Sequence, residues 1–433
     1  MYSISRRNFL RTTAVVGTGL SLGLTTGCSE DSDTQTTAKF AVLSDPHVYD
    51  TSLGTTGEAF EDYLSSDRKM LAESTEIMEA MVDELLNVKD LDFVIIPGDL
   101  TKDGEKISHE KMASLLAKLN DKGIKTYVVP GNHDINNPHA VSFSGSTTTK
   151  VPSVTPEEFA EIHNKSGFAK AIYKDKNSLS YVAEPADNVW LFAIDSCKYD
   201  NNDTYPETSG EISAETLSWV LDKLAIAKAK GKLVMGMMHH GIIAHFAAQP
   251  MLFAEYVLDE YSTVGAALAN AGMNIVFTGH FHAQDVVKYT FSSGVLYDVE
   301  TGSGVTAPSP YRIIDLDIPT KTFNIASYEI HSIPSKTDFD TYKKEFTEQG
   351  MLELYTTLGP QYGLPVEYAA VGAEIHVAHY KGDETFASLS TQSQTVVQAM
   401  VSSTDAATQQ LGGAMYDFAQ DSTPTDNNLT ITL

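Results

Sequence analysis

Positive charge and cysteine are both scarce in this chain of 433 residues. Lys and Arg number 30 against 57 Asp and Glu, a formal charge of -27. Polyanions bind proteins through phosphate neutralisation by Lys and Arg, so long nucleic acids are excluded as partners. A small anion held by local metal charge is not, because a bound ion dominates the field at its own site. The two cysteines are Cys28 and Cys197. If Cys28 is modified, Cys197 has no partner and no intramolecular disulfide can form. Cys197 then reads as a small buried hydrophobe beside a strand. No apolar run reaches the twenty or so residues that a permanent membrane span needs.

What is present begins at the N-terminus. Arg6 and Arg7, with Phe9-Leu10 behind them and a mildly apolar stretch over 12–24, resemble a bacterial twin-arginine export signal. Leu24-Thr25-Thr26-Gly27-Cys28 resembles a lipoprotein cleavage box, with Thr25 where leucine is usual. The polar stretch 29–37 suits a tether. Residues 1–27 are therefore expected to be an export signal, 28–38 a tether, and Cys28 a lipid-anchored residue on the far side of the membrane, with plain cleavage and release as the alternative. Stable anchoring needs more than one acyl chain.

Beyond the tether, apolar runs of strand length alternate with segments of helical spacing. Residues 39–43, 93–96, 125–129, 233–238 and 275–278 read as strands, while 77–86, 112–119 and 214–230 read as amphipathic helices. Ser213 is placed to cap the last of these. The Ser-, Thr- and Pro-rich stretch 135–156 reads as a surface loop, and 247–270 as mostly helical. With 42% apolar residues the chain can fill a large core. The expected class is α/β: two mixed β-sheets packed face to face with helices outside, then a mainly helical unit over 335–433.

Five short stretches each follow one of those strands. They are Asp45-Pro46-His47, Gly98-Asp99, Gly131-Asn132-His133-Asp134, His239-His240 and Gly279-His280-Phe281-His282. Ligands on loops after strands suit a site at the carboxyl ends of an α/β sheet. Together they offer the donors of a two-metal hydrolytic centre, whose ions share a carboxylate and a water. Asp99 is the natural shared carboxylate. Asp45, His47 and His282 would complete one ion, and Asn132, His239 and His280 the other. Imidazole and oxygen donors without thiolate suit Mn, Fe or Zn. His376 and His379 also have helical ligand spacing, but with no third ligand in view they read as solvated helix residues. Asp195 reads as a cap or a supporting residue. Asn136 and Asn137 read either as substrate contacts or as plain turn residues before Pro138.

In this order the five stretches are similar to the calcineurin-like metallophosphoesterases, whose pattern is D-x-H, G-D, G-N-H-D/E, H, G-H-x-H. The resemblance runs over 45–282 and every element is present. It implies that Asp99 bridges the ions, that His133 faces the phosphate, and that Asp134 orients His133. Family members end the fourth strand on the liganding histidine, which favours His239 over His240. Purple acid phosphatases replace the first-site histidine by a distant tyrosine and carry G-N-H-E. His47 and Asp134 stand here instead, closer to the cyclic-nucleotide phosphodiesterase branch. The stretches 57–60, 104–106, 108–110, 129–138 and 210–220 resemble exported bacterial members of that branch with a helical C-terminal domain. The implied domain spans 39–334. The implied activity is hydrolysis of small phosphodiesters, 3′,5′-cyclic nucleotides foremost, by a hydroxide shared between the ions. A phosphomonoesterase or nucleotidase on the same fold is the alternative, and a non-catalytic binding module the remote one.

Overall fold

The computed structural model describes residues 35–433 apart from 66, 293, 363 and 422. The Arg6-Arg7 signal, the cleavage box and Cys28 lie outside the described residues. Among the described residues, fifteen strands follow in chain order: β1 (Thr37–Val42), β2 (Phe93–Ile96), β3 (Lys125–Val128), β4 (Val141–Ser144), β5 (Thr147–Lys150), β6 (Ala171–Lys174), β7 (Tyr181–Ala186), β8 (Val189–Ala193), β9 (Leu233–Met237), β10 (Ile275–Thr278), β11 (Asp285–Phe291), β12 (Gly294–Glu300), β13 (Pro310–Asp317), β14 (Thr322–Glu329) and β15 (Asn428–Thr432). One sheet has the order β15-β14-β13-β1-β2-β3, and the other β11-β12-β10-β9-β8-β7-β6. Both are mixed. β1, β2 and β3 run parallel, as do β8, β9, β10 and β12, with antiparallel strands at the flanks.

Side chains alternate across a strand, and the middle of the second sheet obeys that period. Val189, Leu191 and Ala193 of β8 face the core shared with the first sheet, while Trp190 and Phe192 face the opposite side. Phe40 of β1 meets Phe277 of β10 edge to face at 5.5 Å, so the inner faces of the two sheets touch directly. Helices Ser74–Asn87 and Lys106–Asp121 cover the first sheet with Ile77, Met81, Leu85, Met112 and Leu116. Helices Ala214–Ala229 and Tyr261–Ala271 cover the second. Ser213 caps the former by accepting the amide of Thr216 at 3.1 Å. The fold is the expected sandwich with flanking helices.

Two segments differ from expectation. Within 135–156 the chain forms the β4–β5 hairpin, because Phe143 anchors it on Tyr49, Phe60 and Tyr63. Its second arm, Thr147-Thr148-Thr149, is β-branched and pairs readily, which a composition that favours loops conceals. The stretch 247–270 is broken into Gln249–Leu252, a short turn at Ala254–Tyr256, and Tyr261–Ala271. Val257 pairs with Gly241 next to the His239-His240 pair, which pulls the chain out of helix there.

Residues 339–418 are helical, with α-helices at Phe339–Thr357, Ala369–Lys381, Thr391–Val401 and Ala406–Phe418. Their core takes in Phe246 and Phe281. The last strand, β15, returns to pair with β14 in the first sheet. Residues 35–433 make one compact unit. Among the described residues no helix is long and apolar enough to cross a membrane.

Candidate metal centre

The parallel strands β1, β2, β3, β9 and β10 all end at one edge of the sandwich, and the five stretches are the loops that leave them. Five of their residues have left-handed backbone: Asp45, His47, Asp99, His280 and His282, with φ between 38° and 79°. Such conformations cost about 1–3 kcal/mol each for residues other than glycine and persist where the surroundings over-determine them. The glycines between them permit close approach. A Cβ on Gly131 would lie 2.1 Å from Asp99 Oδ1, and one on Gly279 would lie 2.3 Å from Asp45 Oδ2.

The loops bring together two groups of donors that share Asp99. Ligand atoms of Asp45, His47, Asp99 and His282 all lie within 4.8 Å of one another, and so do those of Asp99, His239 and His280. His47 Nε2 is 3.2 Å from His282 Nε2 and 3.5 Å from Asp99 Oδ2, and His282 Nε2 is 3.5 Å from Asp45 Oδ1. His239 Nε2 is 3.0 Å from Asn132 Oδ1 and 3.4 Å from Asp99 Oδ1. The ring of His239 is fixed by the Pro97 carbonyl, which accepts from Nδ1 at 2.8 Å. The Glu255 carbonyl does the same for Nε2 of His280 at 3.2 Å. Carbonyl partners of this kind set the tautomer of a metal-binding imidazole.

The electrostatics suit cations. Burial, helped by Lys69, holds His47 well below the usual histidine range, and burial likewise lowers His280 and His282. Neutral imidazole is the form that binds metal. Burial opposes ionisation of Asp99, yet His239 and His133 hold its carboxyl well below the usual range. Asp99 in turn pushes His239 up to about 9 against burial. The inward-facing Nε2 atoms of His47 and His282 stand 3.2 Å apart, flanked by the carboxylates of Asp99 and Asp45. The buried oxygen and nitrogen donors therefore fit two metal ions.

His240 is turned away. Its Nδ1 bonds Ser196 Oγ at 2.8 Å and its Nε2 bonds the Thr208 carbonyl at 3.0 Å. Asp195 accepts from the Leu179 and Cys197 amides and from Tyr199, a supporting arrangement. Cys197 is half-buried, and its thiol donates to the Pro130 carbonyl at 3.3 Å.

His133 stands at the open side. Its side chain keeps 22% exposure, whereas those of His47 and His239 keep none. Its ring lies edge to face on His47, centroids 5.0 Å apart. Here the expectation for Asp134 is corrected. Asp134 does not touch the His133 ring. Its two oxygens accept the amides of Leu100, Thr101 and Gly131 at 2.8–3.0 Å, tying the Asp99 loop to the Asn132 loop. The ring is held by Asp103, whose Oδ1 lies 2.9 Å from Nδ1. Lys102 pairs with the other oxygen of Asp103. Sequence reasoning missed Asp103, because a lone acid four residues past Gly98-Asp99 carries no signal. Asn137 is buried and donates to the His133 carbonyl at 3.0 Å, so it braces the same residue.

A second correction concerns His376 and His379, which are not solvated. Both are buried in the helical core: His376 stacks on Phe281 at 5.0 Å, and His379 pairs with Glu384 at 2.7 Å.

The family model for calcineurin-like phosphoesterases matches residues 38–284. None of the curated proteins matches the chain. Among solved structures, a dimetal phosphatase from Danio rerio is similar at 15% identity, over 67% of this chain and 96% of that one, with a TM-score of 0.47. A putative 5′-nucleotidase from Staphylococcus aureus is similar at 14% identity, over 72% of this chain and 58% of that one, with a TM-score of 0.41. Purple acid phosphatase from yellow lupin, Lupinus luteus, is similar at 11% identity, over 68% of this chain and 51% of that one, with a TM-score of 0.42.

Proposed function

The chain belongs to the calcineurin-like phosphoesterases, metal-dependent hydrolases of phosphoric esters, and from that premise we infer that it is a phosphodiesterase for small diesters, with 3′,5′-cyclic nucleotides as the leading substrates. Asp45, His47 and His282 with Asp99 would hold one ion, and Asn132, His239 and His280 with Asp99 the other. Mn, Fe or Zn suits this donor set. When bound, such ions supply Lewis-acid charge to the phosphate and acidify water.

The observation that carries the reading of a sugar-phosphate ester as substrate is His133, held by Asp103 at the open side of the cluster; the preference for the cyclic diester rests on the resemblance of His47 and Asp134 to the phosphodiesterase branch. Opening a cyclic nucleotide expels a sugar alkoxide, a poor leaving group that needs a proton. Burial and Lys69 lower the His133 pKa, but Asp99 and Asp103 outweigh them and raise it above the ordinary histidine value. Asp103 fixes Nδ1, which leaves Nε2 to give the proton up. Asp134 keeps the two ligand-bearing loops in register, and the helical residues 335–433 would shape the pocket without contributing a ligand to this pair.

The test is a panel of cyclic nucleotides, linear diesters and monoesters with the metal-loaded chain. Cyclic nucleotides should give the highest kcat/KM, and a higher value for monoesters would overturn the diester reading. Export and lipid anchoring at Cys28 complete the proposal. Cys28→Ser should move the protein from membranes to the soluble fraction, and unchanged fractionation would remove the anchor from the account.

A further inference from the structure

A second buried polar cluster lies outside the catalytic one. Asp285 opens β11, three residues beyond His282. Asp421 and Asp426 come from the return segment between helix Ala406–Phe418 and β15. Carboxylate oxygens of these three residues lie within 4.8 Å of one another, and that group holds no nitrogen or sulfur donor. The Asp285 side chain is 7% exposed. Its Oδ2 faces His245 Nδ1 at 3.2 Å and His379 Nε2 at 3.5 Å. That leaves Oδ1, which is buried and has no hydrogen-bond partner among the described residues. His379 gives Nδ1 to Glu384 at 2.7 Å, and its Nε2, also buried and without a hydrogen bond, points at Asp285.

The countercharge at hand is engaged on Asp285 and elsewhere: burial opposes ionisation of Asp285, yet His245 and His379 hold its carboxyl below the usual range. The buried guanidinium of Arg312 bonds neutral oxygens: Thr301 Oγ1, Ser327 Oγ and the carbonyls of Glu300 and Asp426. His245 is shared with Asp298 at 3.3 Å and Glu300 at 3.7 Å. Asp426 accepts the amides of Val286 at 2.8 Å and Asp383 at 2.6 Å, which orients its carboxylate but brings no full charge. Burial and the neighbouring Asp285 push the Asp421 carboxyl up to about 8 and the Asp426 carboxyl up to about 9. Buried charges of one sign are costly unless paired or bound to metal.

We propose that Asp285, Asp421 and Asp426 form a third cation site, separate from the catalytic pair, that takes calcium and ties the C-terminal return segment to the strand following His280 and His282. An all-carboxylate donor set is the hard-oxygen environment that Ca²⁺ prefers, and Ca²⁺ accepts irregular geometry more readily than Mg²⁺.

The experiment uses the full chain with its catalytic pair saturated with Mn²⁺. Calcium is titrated by calorimetry and Tm is followed. Wild type should bind one Ca²⁺ per chain, with Tm rising by roughly 5 °C at a hundredfold excess over Kd. Asp421→Asn should lose both responses while keeping its Mn²⁺. In calcium-free buffer it should be at least as stable as wild type, because it removes a carboxyl whose ionisation burial and Asp285 oppose. His47→Ala, which disturbs the catalytic cluster, should keep the calcium response. No response in wild type, a response that survives Asp421→Asn, or one lost in His47→Ala would each overturn the site. An equal response to Mg²⁺ would overturn the calcium assignment.

Discussion

The loop over 279–285 serves two buried clusters of opposite design. His280 and His282 enter the catalytic cluster, where nitrogen and oxygen donors converge from five strand ends in both sheets. Asp285 enters the carboxylate triad, whose other members arrive from the end of the chain. Between them Phe281 is driven into the helical core beside His376 and Phe418. In the first cluster His47, His280 and His282 are held toward the neutral form and Asp99 toward the ionised one, the forms that bind ions. In the second, Asp421 and Asp426 are pushed toward protonation, while His245 and His379 hold Asp285 ionised against burial. The contrast teaches that a catalytic site is built where the backbone is most constrained, on parallel strand ends with strained loops, whereas the second cluster lies where a late segment docks.

The largest effect should come from the residue common to both halves of the catalytic cluster. Asp99→Asn should lose metal from both positions and cut hydrolysis by more than the roughly 10–100-fold typical of an outer supporting residue. Metal analysis and kcat/KM measure this. His239→Ala should shed one ion, while His240→Ala, whose ring bonds Ser196 and Thr208, should keep both.

His133→Ala comes next. Cyclic AMP hydrolysis should slow by about 10²–10⁴ with metals retained, as expected for loss of proton donation. Bis(p-nitrophenyl) phosphate, whose leaving group needs little protonation, should slow far less. Similar losses for both substrates would replace the general acid by an electrostatic role.

A smaller effect separates the two acids near His133. Asp103→Asn should lower cyclic AMP turnover by about 10–100-fold and shift the acidic group in the pH profile downward, since Asp103 helps to raise His133. Asp134→Asn should instead lower stability and metal content together, because its carboxylate holds three loop amides. If Asp134→Asn shifted the pH profile and Asp103→Asn did not, the roles would be exchanged.

The smallest effect probes the triad. The folded-state pKa of Asp421 is raised to about 8 by burial, Asp285 and Glu384, above an unfolded value of about 3.9. Its contribution is therefore fully present at low pH and is lost as pH climbs toward 8. Calcium-free wild type should lose a few degrees of Tm between about pH 5 and pH 8 relative to Asp421→Asn. Parallel Tm curves would show that the carboxyl is not under this strain.

The catalytic cluster was legible because each donor sits in a short stretch beside a strand, and glycine is required where Gly131 and Gly279 meet neighbouring ligands. The sandwich was legible from apolar runs such as 93–96 and 233–238, which become strands buried on both faces. Asp103 was not, because its partnership depends on how one loop curls under His133. The triad was not either: Asp285 and Asp426 are far apart in sequence, and only the return of β15 to the first sheet joins them. His376 and His379 were misread because polar residues on a helix usually face water, and nothing local shows that Phe281 and Phe418 will cover them.

The most direct test of the two-ion account is an anomalous difference map from crystals of the manganese-loaded chain. Two peaks about 3.5–4 Å apart, both within bonding distance of Asp99 and with His133 beside them unbound, are the predicted result. A single peak, or a pair that leaves Asp99 without a metal contact, would contradict it.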